Sequence, residues 1–283
     1  TPPEHYAGID IIAHSIPSQK VDGDFYDFYC HDDHCFDLVI GDVMVKGIPA
    51  ALLGSAVKSQ ILHAIQELKT QTLGKPPALS RIMKLVQMKV TQHLIELEKF
   101  VTLCYARFYL EEKKIELVNC GHMRTIHYRS ADRVCELIPG ENLPLGVIYE
   151  EEFIETVVSL AERDLVLFYS DGITDVRSES GEFFGENNLV HYVTNQIDLP
   201  LDQFIDSLCR RVILFSKKGS TYDDQTCVAV RIDPAMQPEI ATGLIEITSE
   251  LSELGKIRQF VRSFLDSFAR DASLKINSNP ILL

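Results

Sequence analysis

Aspartates recur beside glycines in this chain where strand-like runs give way to turns: Asp22-Gly23-Asp24, Gly41-Asp42, Asp171-Gly172, and the pair Asp223-Asp224. Each aspartate offers a hard anionic oxygen, and glycine lets the backbone turn sharply and approach an ion closely. Oxygen donors without matching His or Cys favour Mg²⁺ or Mn²⁺ over zinc. Any one Asp-Gly reads as an ordinary turn. The set says more, because several members follow apolar runs such as Leu38-Val39-Ile40 and Leu165-Val166-Leu167-Phe168. Burial of those runs would bring like charges together at a sheet end, where carboxylates repel unless cations neutralise them.

The elements that must position these residues come in blocks. Strand-like runs cover Ile9 to Ser15, Asp24 to Cys30 and Cys35 to Asp42, the last two joined by the polar turn His31-Asp32-Asp33-His34 as a hairpin. Ile48 to Leu68 reads as a largely buried helix with Pro49 in its first turn. Pro76-Pro77 breaks the chain before a second helix at about Ala78 to Leu97, where Ile82, Leu85, Val86 and Val90 recur at helical spacing. Strands return at Val101 to Leu110, Ile115 to Asn119, Thr125 to Tyr128, Val134 to Ile138, Phe153 to Leu160 and Leu165 to Tyr169. Short turns between them fit antiparallel meanders. Helices at Gly185 to Asn195 and Leu201 to Phe215 precede a closing strand, Thr226 to Ile232, which makes the class α+β.

The pattern breaks at Asp233-Pro234-Ala235-Met236-Gln237-Pro238. We therefore expect a domain over 1–233, a linker over 234–243, and a strand-helix extension over 244–283. In the extension, Leu254, Ile257, Val261, Phe264 and Phe268 form one apolar face.

Hydrophobic residues at 46% and charged residues at 24% describe a chain able to bury a core rather than a disordered one. A net charge of −14 and no dense Lys/Arg stripe exclude a nucleic-acid footprint and favour cations as ligands. No apolar run approaches the roughly 18 to 20 residues of a membrane span. The seven cysteines form no C-x-x-C pair, and most sit in apolar runs, which reads as a reducing cytoplasm. The start at Thr1 leaves room for an upstream segment.

Six segments, in order, carry a family resemblance: Asp22-Gly23-Asp24-Phe25-Tyr26-Asp27, Gly41-Asp42-Val43-Met44-Val45-Lys46-Gly47-Ile48-Pro49-Ala50-Ala51, Asn119-Cys120-Gly121-His122, Leu143-Pro144-Leu145-Gly146, Tyr169-Ser170-Asp171-Gly172-Ile173-Thr174-Asp175 and Asp223-Asp224-Gln225-Thr226. They resemble the motifs of the bacterial SpoIIE/RsbU-type branch of the PP2C (PPM) serine/threonine phosphatases, over about residues 5 to 232. The resemblance implies a β-sandwich of two antiparallel sheets flanked by helices, with a site for two Mn²⁺ or Mg²⁺ ions at one end. It also implies roles: Asp42 bridging both ions, Val43 offering its backbone carbonyl, Asp24 serving the ion beside the nucleophilic water, Asp171 and Asp223 holding the other, with Asp224 counted among the metal residues beside them and Asp27 as a neighbour of the set. Two such ions, about 3.5 to 4 Å apart, lower the pKa of a shared water for in-line attack on phosphorus and offset phosphoryl charge.

Family members commonly read Gly-Gly-Asp and Ser-Gly-Lys-Gly where this chain has Asp22-Gly23-Asp24 and Met44-Val45-Lys46-Gly47. The aspartates survive, and the bulkier Met44-Val45 bears on the loop beside the metals. His122 reads as a structural histidine, Ile48 to Leu68 as a core helix, and Glu150-Glu151-Glu152 as a solvated loop. The segment from Ile245 to Val261 resembles the opening of an RsbW-type anti-sigma-factor kinase, without that fold's nucleotide motifs. It reads as the start of a truncated second domain or as a capping or dimerising helix.

The function these readings favour is a phosphoserine/phosphothreonine protein phosphatase acting on a phosphorylated STAS-type anti-sigma-factor antagonist in a bacterial partner-switching pathway. A regulatory upstream domain or partner, and a homodimer, are compatible with it. One alternative, motivated by Met44-Val45, is a weakly active or inactive module that docks a regulatory partner. Another is a metal-dependent phosphoesterase of small substrates.

Overall fold

Period-two alternation builds the molecule. Along Cys35–Val43, Phe36, Leu38 and Ile40 join one apolar cluster while Val39 and Val43 join another, so this strand is buried on both faces. The same division runs through Leu165–Tyr169, where Val166 and Phe168 face one cluster and Leu165, Leu167 and Tyr169 a second. Strands buried on both faces need covering layers on both sides, and the helices supply them.

The structure is a computed structural model and describes residues 6, 8–18, 23–72, 75–216 and 223–233. In chain order the elements are β1 (Ile9–Ile16), β2 (Asp24–Asp32), β3 (Cys35–Val43), α1 (Ile48–Lys69), α2 (Leu79–Glu96), β4 (Val101–Tyr109), β5 (Lys114–Cys120), β6 (Thr125–Arg129), β7 (Val134–Ile138), β8 (Thr156–Ser159), β9 (Leu165–Tyr169), α3 (Asp171–Thr174), α4 (Gly185–Gln196), α5 (Leu201–Phe215) and β10 (Gln225–Ile232). They form two five-stranded sheets, ordered β1-β10-β9-β6-β7 and β2-β3-β4-β5-β8. Every pairing between these strands is antiparallel.

Between the sheets lies a core of Phe36, Leu38, Ile40, Ala106 and Phe108 from one side and Val166, Phe168, Val228 and Val230 from the other. The Phe36 and Phe108 rings stack with centroids 4.8 Å apart. Helices α1 and α2 cover the outer face of the β2–β8 sheet through Val57, Ile61, Ile82 and Val86. Helices α4 and α5 cover the other sheet through Leu189, Phe204, Leu208 and Val212. The expected α+β sandwich flanked by helices is therefore the observed one. Helix α1 meets the length and apolarity of a membrane span, unlike the sequence expectation, but Ala50, Val57, Ile61, Ala64, Ile65 and Leu68 bury its inner face in the domain core.

One buried polar cluster fastens α2 to the sheet. Asp37 and Arg107 are cross-strand partners in β3 and β4, and both are fully buried. Arg107 donates from Nε to Asp37 Oδ1 at 2.6 Å and from Nη2 to Oδ2 at 2.8 Å, and Tyr105 Oη donates to Oδ2 at 2.6 Å. A further Arg107 hydrogen bond goes to the carbonyl of Pro77, just before α2. Burial by itself would raise the Asp37 pKa, but the hydrogen bonds and charge of Arg107 and His31 hold it below the usual carboxylate range.

Expected boundaries mostly fall within a residue or two of the observed ones. The first hairpin is tighter than expected: β2 runs on to Asp32, with a register shift after Cys30, and Asp32 Oδ1 accepts from the N–H of His34. Strand β8 is shorter than the expected Phe153 to Leu160, because the N–H of Ile154 is taken by Asn142 Oδ1 instead of a ladder partner. The short helix α3 has no counterpart among the expected elements. Asp22, the linker at 234–243 and the extension at 244–283 with its kinase-like resemblance lie outside the described residues.

Candidate functional site

The inner rows of the sandwich end in polar residues at one end of the molecule. In β3 the series Phe36, Leu38, Ile40 is continued by Asp42, and in β10 the series Val230, Val228 runs back to Thr226 and then Asp224. Asp42 lies opposite Asp24 of β2 on one side and Thr102 of β4 on the other. Beyond β9, Ser170 and Asp171 lead into α3. The pattern that makes a strand apolar on its inner face thus aims these side chains into the space where the sheets part.

That space is a cavity of about 310 Å³, whose wall includes Asp42, Val43, Lys46, Asp171, Asp223 and Asp224. Asp24 stands behind Gly23 at its edge, 9% exposed, with Oδ2 buried and unpartnered. Burial pushes Asp24 up to about 8, with Asp42 and Asp224 adding to the rise against the hydroxyls of Ser170 and Thr226. Asp42 is pushed up to about 7 by burial and then by the charges of Asp171, Asp223 and Asp224. Asp171 is raised too, by burial and by Asp223 and Asp175, with Lys46 opposing. These carboxylates are crowded enough to favour protons over mutual repulsion.

Asp224 behaves differently. Its Oδ1 accepts from the N–H of Ser18 at 2.7 Å and its Oδ2 from the N–H of Gly23 at 2.6 Å. Although burial opposes it, these backbone donors hold its pKa below the usual range. Asp224 is therefore a clamp on the backbone that leads into Asp24, with both oxygens engaged. The contact is close on its other side as well: a Cβ on Gly172 would stand 2.0 Å from the Asp224 carbonyl oxygen, so only glycine lets α3 approach β10 here. Ser170 fixes the same corner, its hydroxyl donating to the Asp224 carbonyl at 3.1 Å and accepting from the N–H of Thr226 at 3.0 Å.

Lys46 Nζ lies 2.9 Å from Asp223 Oδ1, and among the described residues it is the one Lys or Arg in the cavity wall. Asp27 is outside that wall, 3.7 Å from Lys58 of α1. His122 lines the cavity, with Nδ1 3.1 Å from Thr102 Oγ1, and burial lowers its pKa to about 4, so the ring is neutral at pH 7. Sequence reasoning singled out neither Lys46 nor Ser170. A signal existed for Ser170, which continues the inner row of β9 past Phe168. Lys46 gave none, because a lone lysine in a loop is ordinarily solvated.

The donor set suits hard divalent cations. It offers an orphaned buried carboxylate oxygen, three carboxyls raised by crowding, and no thiolate or second imidazole. The carboxylates do not close into a tight cage by themselves: among the described residues no three His, Cys, Asp or Glu side chains converge as an ion-holding group.

A family model described as Stage II sporulation protein E (SpoIIE) matches residues 32–233. Phosphoserine phosphatase RsbU of Bacillus subtilis (strain 168) is 27% identical over 173 residues, covering 61% of this chain and 49% of that protein. The chain thus spans about half the length of that relative. Among solved structures, the SiaA-PP2C domain of Pseudomonas aeruginosa superposes with a TM-score of 0.69 at 17% identity, over 79% of this chain and 86% of that one. The catalytic domain of the serine threonine protein phosphatase PstP, solved in complex with 2 manganese ions, gives a TM-score of 0.53 at 16% identity, over 80% of this chain and 99% of that one. The fold is that of these domains. The family match ends at residue 233 and lends no support to the kinase-like resemblance beyond it.

Proposed function

Since the chain belongs to the SpoIIE family, whose match over residues 32–233 takes in Asp42, Asp171, Asp223 and Asp224, we propose that it is a metal-dependent phosphoserine/phosphothreonine protein phosphatase. The observation that carries this reading is the meeting, at one end of the sandwich, of carboxylates from four chain segments, crowded so that burial and mutual charge raise Asp24, Asp42 and Asp171 together. In this reading Asp24, Asp42, Asp171 and Asp223, with the Val43 carbonyl, hold two Mn²⁺ or Mg²⁺ ions, which supply an activated water and charge for the phosphoryl oxygens.

The chain's own residues do the rest. Asp224 holds the backbone at Ser18 and Gly23, and so fixes Asp24 against Asp42. Ser170 ties the turn before Asp171 to β10. Lys46 brings a positive charge to the mouth of an otherwise acidic cavity, where a phosphate group would enter. The neutral His122 ring props Thr102 beside Asp42.

The likeness to RsbU, named a phosphoserine phosphatase, supports a phosphoserine substrate; by family analogy we propose a phosphorylated STAS-type anti-sigma-factor antagonist, with a regulatory partner or upstream domain in a partner-switching pathway. We assign the phosphatase domain to 1–233, with 234–243 as linker. Seven free cysteines, most of them buried, fit a cytoplasmic location.

The test is release of phosphate from a phosphoserine protein or peptide in chelator, then with Mn²⁺ restored, beside a nucleotide substrate. Activity lost in chelator, regained with Mn²⁺ and selective for the phosphoprotein is the expected result. Turnover that persists in chelator would remove the mechanism, and a preference for nucleotides would move the chain to the small-substrate phosphoesterases. A second reading, a partner-docking module with little turnover, is favoured by the Lys46–Asp223 ion pair, which occupies a candidate ligand. Metal-independent partner binding without hydrolysis would select it.

A further inference from the structure

Beside the catalytic cavity runs a second, shallower groove of about 570 Å³, bordered by Ile95, Lys99, Phe100, Val147, Ile148 and Tyr149. Phe100 lines both spaces and so stands at the boundary between them. The boundary is fixed close to the carboxylates, because the Phe100 carbonyl accepts the N–H of Met44, two residues beyond Asp42.

The far wall is a loop that is held firmly and yet presents apolar side chains to water. Its ends are joined: Asn142 Oδ1 accepts from the N–H of Ile154 at 2.7 Å, and Asn142 Nδ2 donates to the Ile154 carbonyl at 3.1 Å. Its middle is pinned by α2, where the buried Gln87 Oε1 accepts from the N–H of Glu151 at 3.1 Å and Lys84 Nζ donates to the Glu151 carbonyl at 3.1 Å. Its base pairs with β4, as Val101 and Leu145 exchange both backbone hydrogen bonds at 2.9 Å. At the turn, Gly146 has a φ of +95°, and a Cβ there would stand 2.6 Å from the Lys99 carbonyl. Despite this anchoring, Val147, Ile148 and Tyr149 remain 47%, 36% and 61% exposed, next to Phe100 at 36%. Consecutive exposed apolar residues on a pinned backbone are unfavourable in isolation and mark a surface that something else covers.

We propose that this groove is the docking subsite for apolar residues flanking the phosphoserine of the protein substrate, an inference that rests on the phosphatase reading. The occupant follows from continuity: Phe100, whose carbonyl is bonded to Met44, borders both spaces, so a chain with its phosphate in the cavity meets the groove where it passes Phe100.

The probes are two labelled phosphoserine decapeptides, one with Leu and Phe within three residues of the phosphoserine and one with Ser at those positions, together with p-nitrophenyl phosphate. Peptide binding by fluorescence anisotropy and kcat/KM are compared for the parent, for an Ile148→Ser/Tyr149→Ser double variant and for Val147→Ser, each checked for a parent-like melting curve. The parent should favour the apolar peptide by about tenfold, near 1.4 kcal/mol, in both binding and KM. The variants should lose that preference while hydrolysing p-nitrophenyl phosphate like the parent. No preference in the parent, or a preference retained by folded variants, overturns the proposal. So does loss of p-nitrophenyl phosphate turnover in a folded variant, or a groove-dependent dimer in sedimentation without peptide preference, which would assign the surface to a second copy of the chain. If the parent turns over nothing, the phosphatase reading fails by itself, and the anisotropy preference still decides the groove.

Discussion

Buried carboxylates in this protein differ according to what stands beside them. Asp24 and Asp42 face each other and other acids, and their pKa values rise to about 8 and 7 through burial and like charge. Asp164 is more deeply buried, yet it accepts from the N–H groups of Ser130 and Ala161 at 2.8 and 2.9 Å and lies 2.8 Å from His127 Nε2. Burial by itself would raise it, but these partners hold it below the usual range. The first kind suits ligand binding and the second holds the fold. For Asp164 the unfolded chain takes up the proton first as pH falls. Its stabilising contribution is therefore complete above roughly pH 4 and is lost as pH drops through the folded value. Asp164→Asn should cost about 1 to 3 kcal/mol at neutral pH. Urea unfolding of the variant should also weaken less steeply than that of the parent below about pH 4, and parallel curves would contradict the assignment. In the sequence, Asp24, Asp42, Asp171 and Asp223 were legible because glycine or a strand end marked each one. The distinct position of Asp224 was not, since nothing in Asp223-Asp224 tells which carboxylate meets the backbone of Ser18 and Gly23.

Elements position these side chains through a few close approaches. Turns and helix N-termini around the cavity leave no slack where α3 meets the segment before β10, and Gly172 marks the tightest point. Gly172→Ala has to move the backbone that carries Asp171 or Asp223. We expect a loss of about 1 to 3 kcal/mol of stability from overpacking and at least about a tenfold fall in kcat, near 1.4 kcal/mol of barrier. Thermal melts and phosphopeptide kinetics read both, and a parent-like variant would show that the approach is not needed. Strands and long helices were legible from periodicity, since two-sided burial leaves continuous apolar runs such as Leu165-Val166-Leu167-Phe168. Helix α3 was not, because four residues cannot display a helical period, and β8 was overextended because a side chain of a distant residue, Asn142, takes the ladder donor of Ile154.

At the scale of the whole molecule, the site exists because two sheets part at one end. Which strand joins which sheet could not be read from alternation: β1 pairs with β10 across the length of the domain, with Ile9 opposite Ile232, and the last strand enters between β1 and β9. Family resemblance implied the sandwich of two antiparallel sheets, which the fold bears out, but not this strand order. The same topology draws Asp24 and Asp42 from one sheet toward Asp171 and Asp223 at the ends of β9 and β10 in the other, so cation binding is expected to link the two halves of the sandwich. The most direct measurement of this account is Mn²⁺ binding and phosphoserine-peptide hydrolysis side by side for the parent and Asp42→Asn. The account predicts that hydrolysis in the parent rises with Mn²⁺ and that the folded variant loses both tight Mn²⁺ binding and turnover. An Asp42→Asn protein that binds Mn²⁺ and hydrolyses the peptide as the parent does would contradict it.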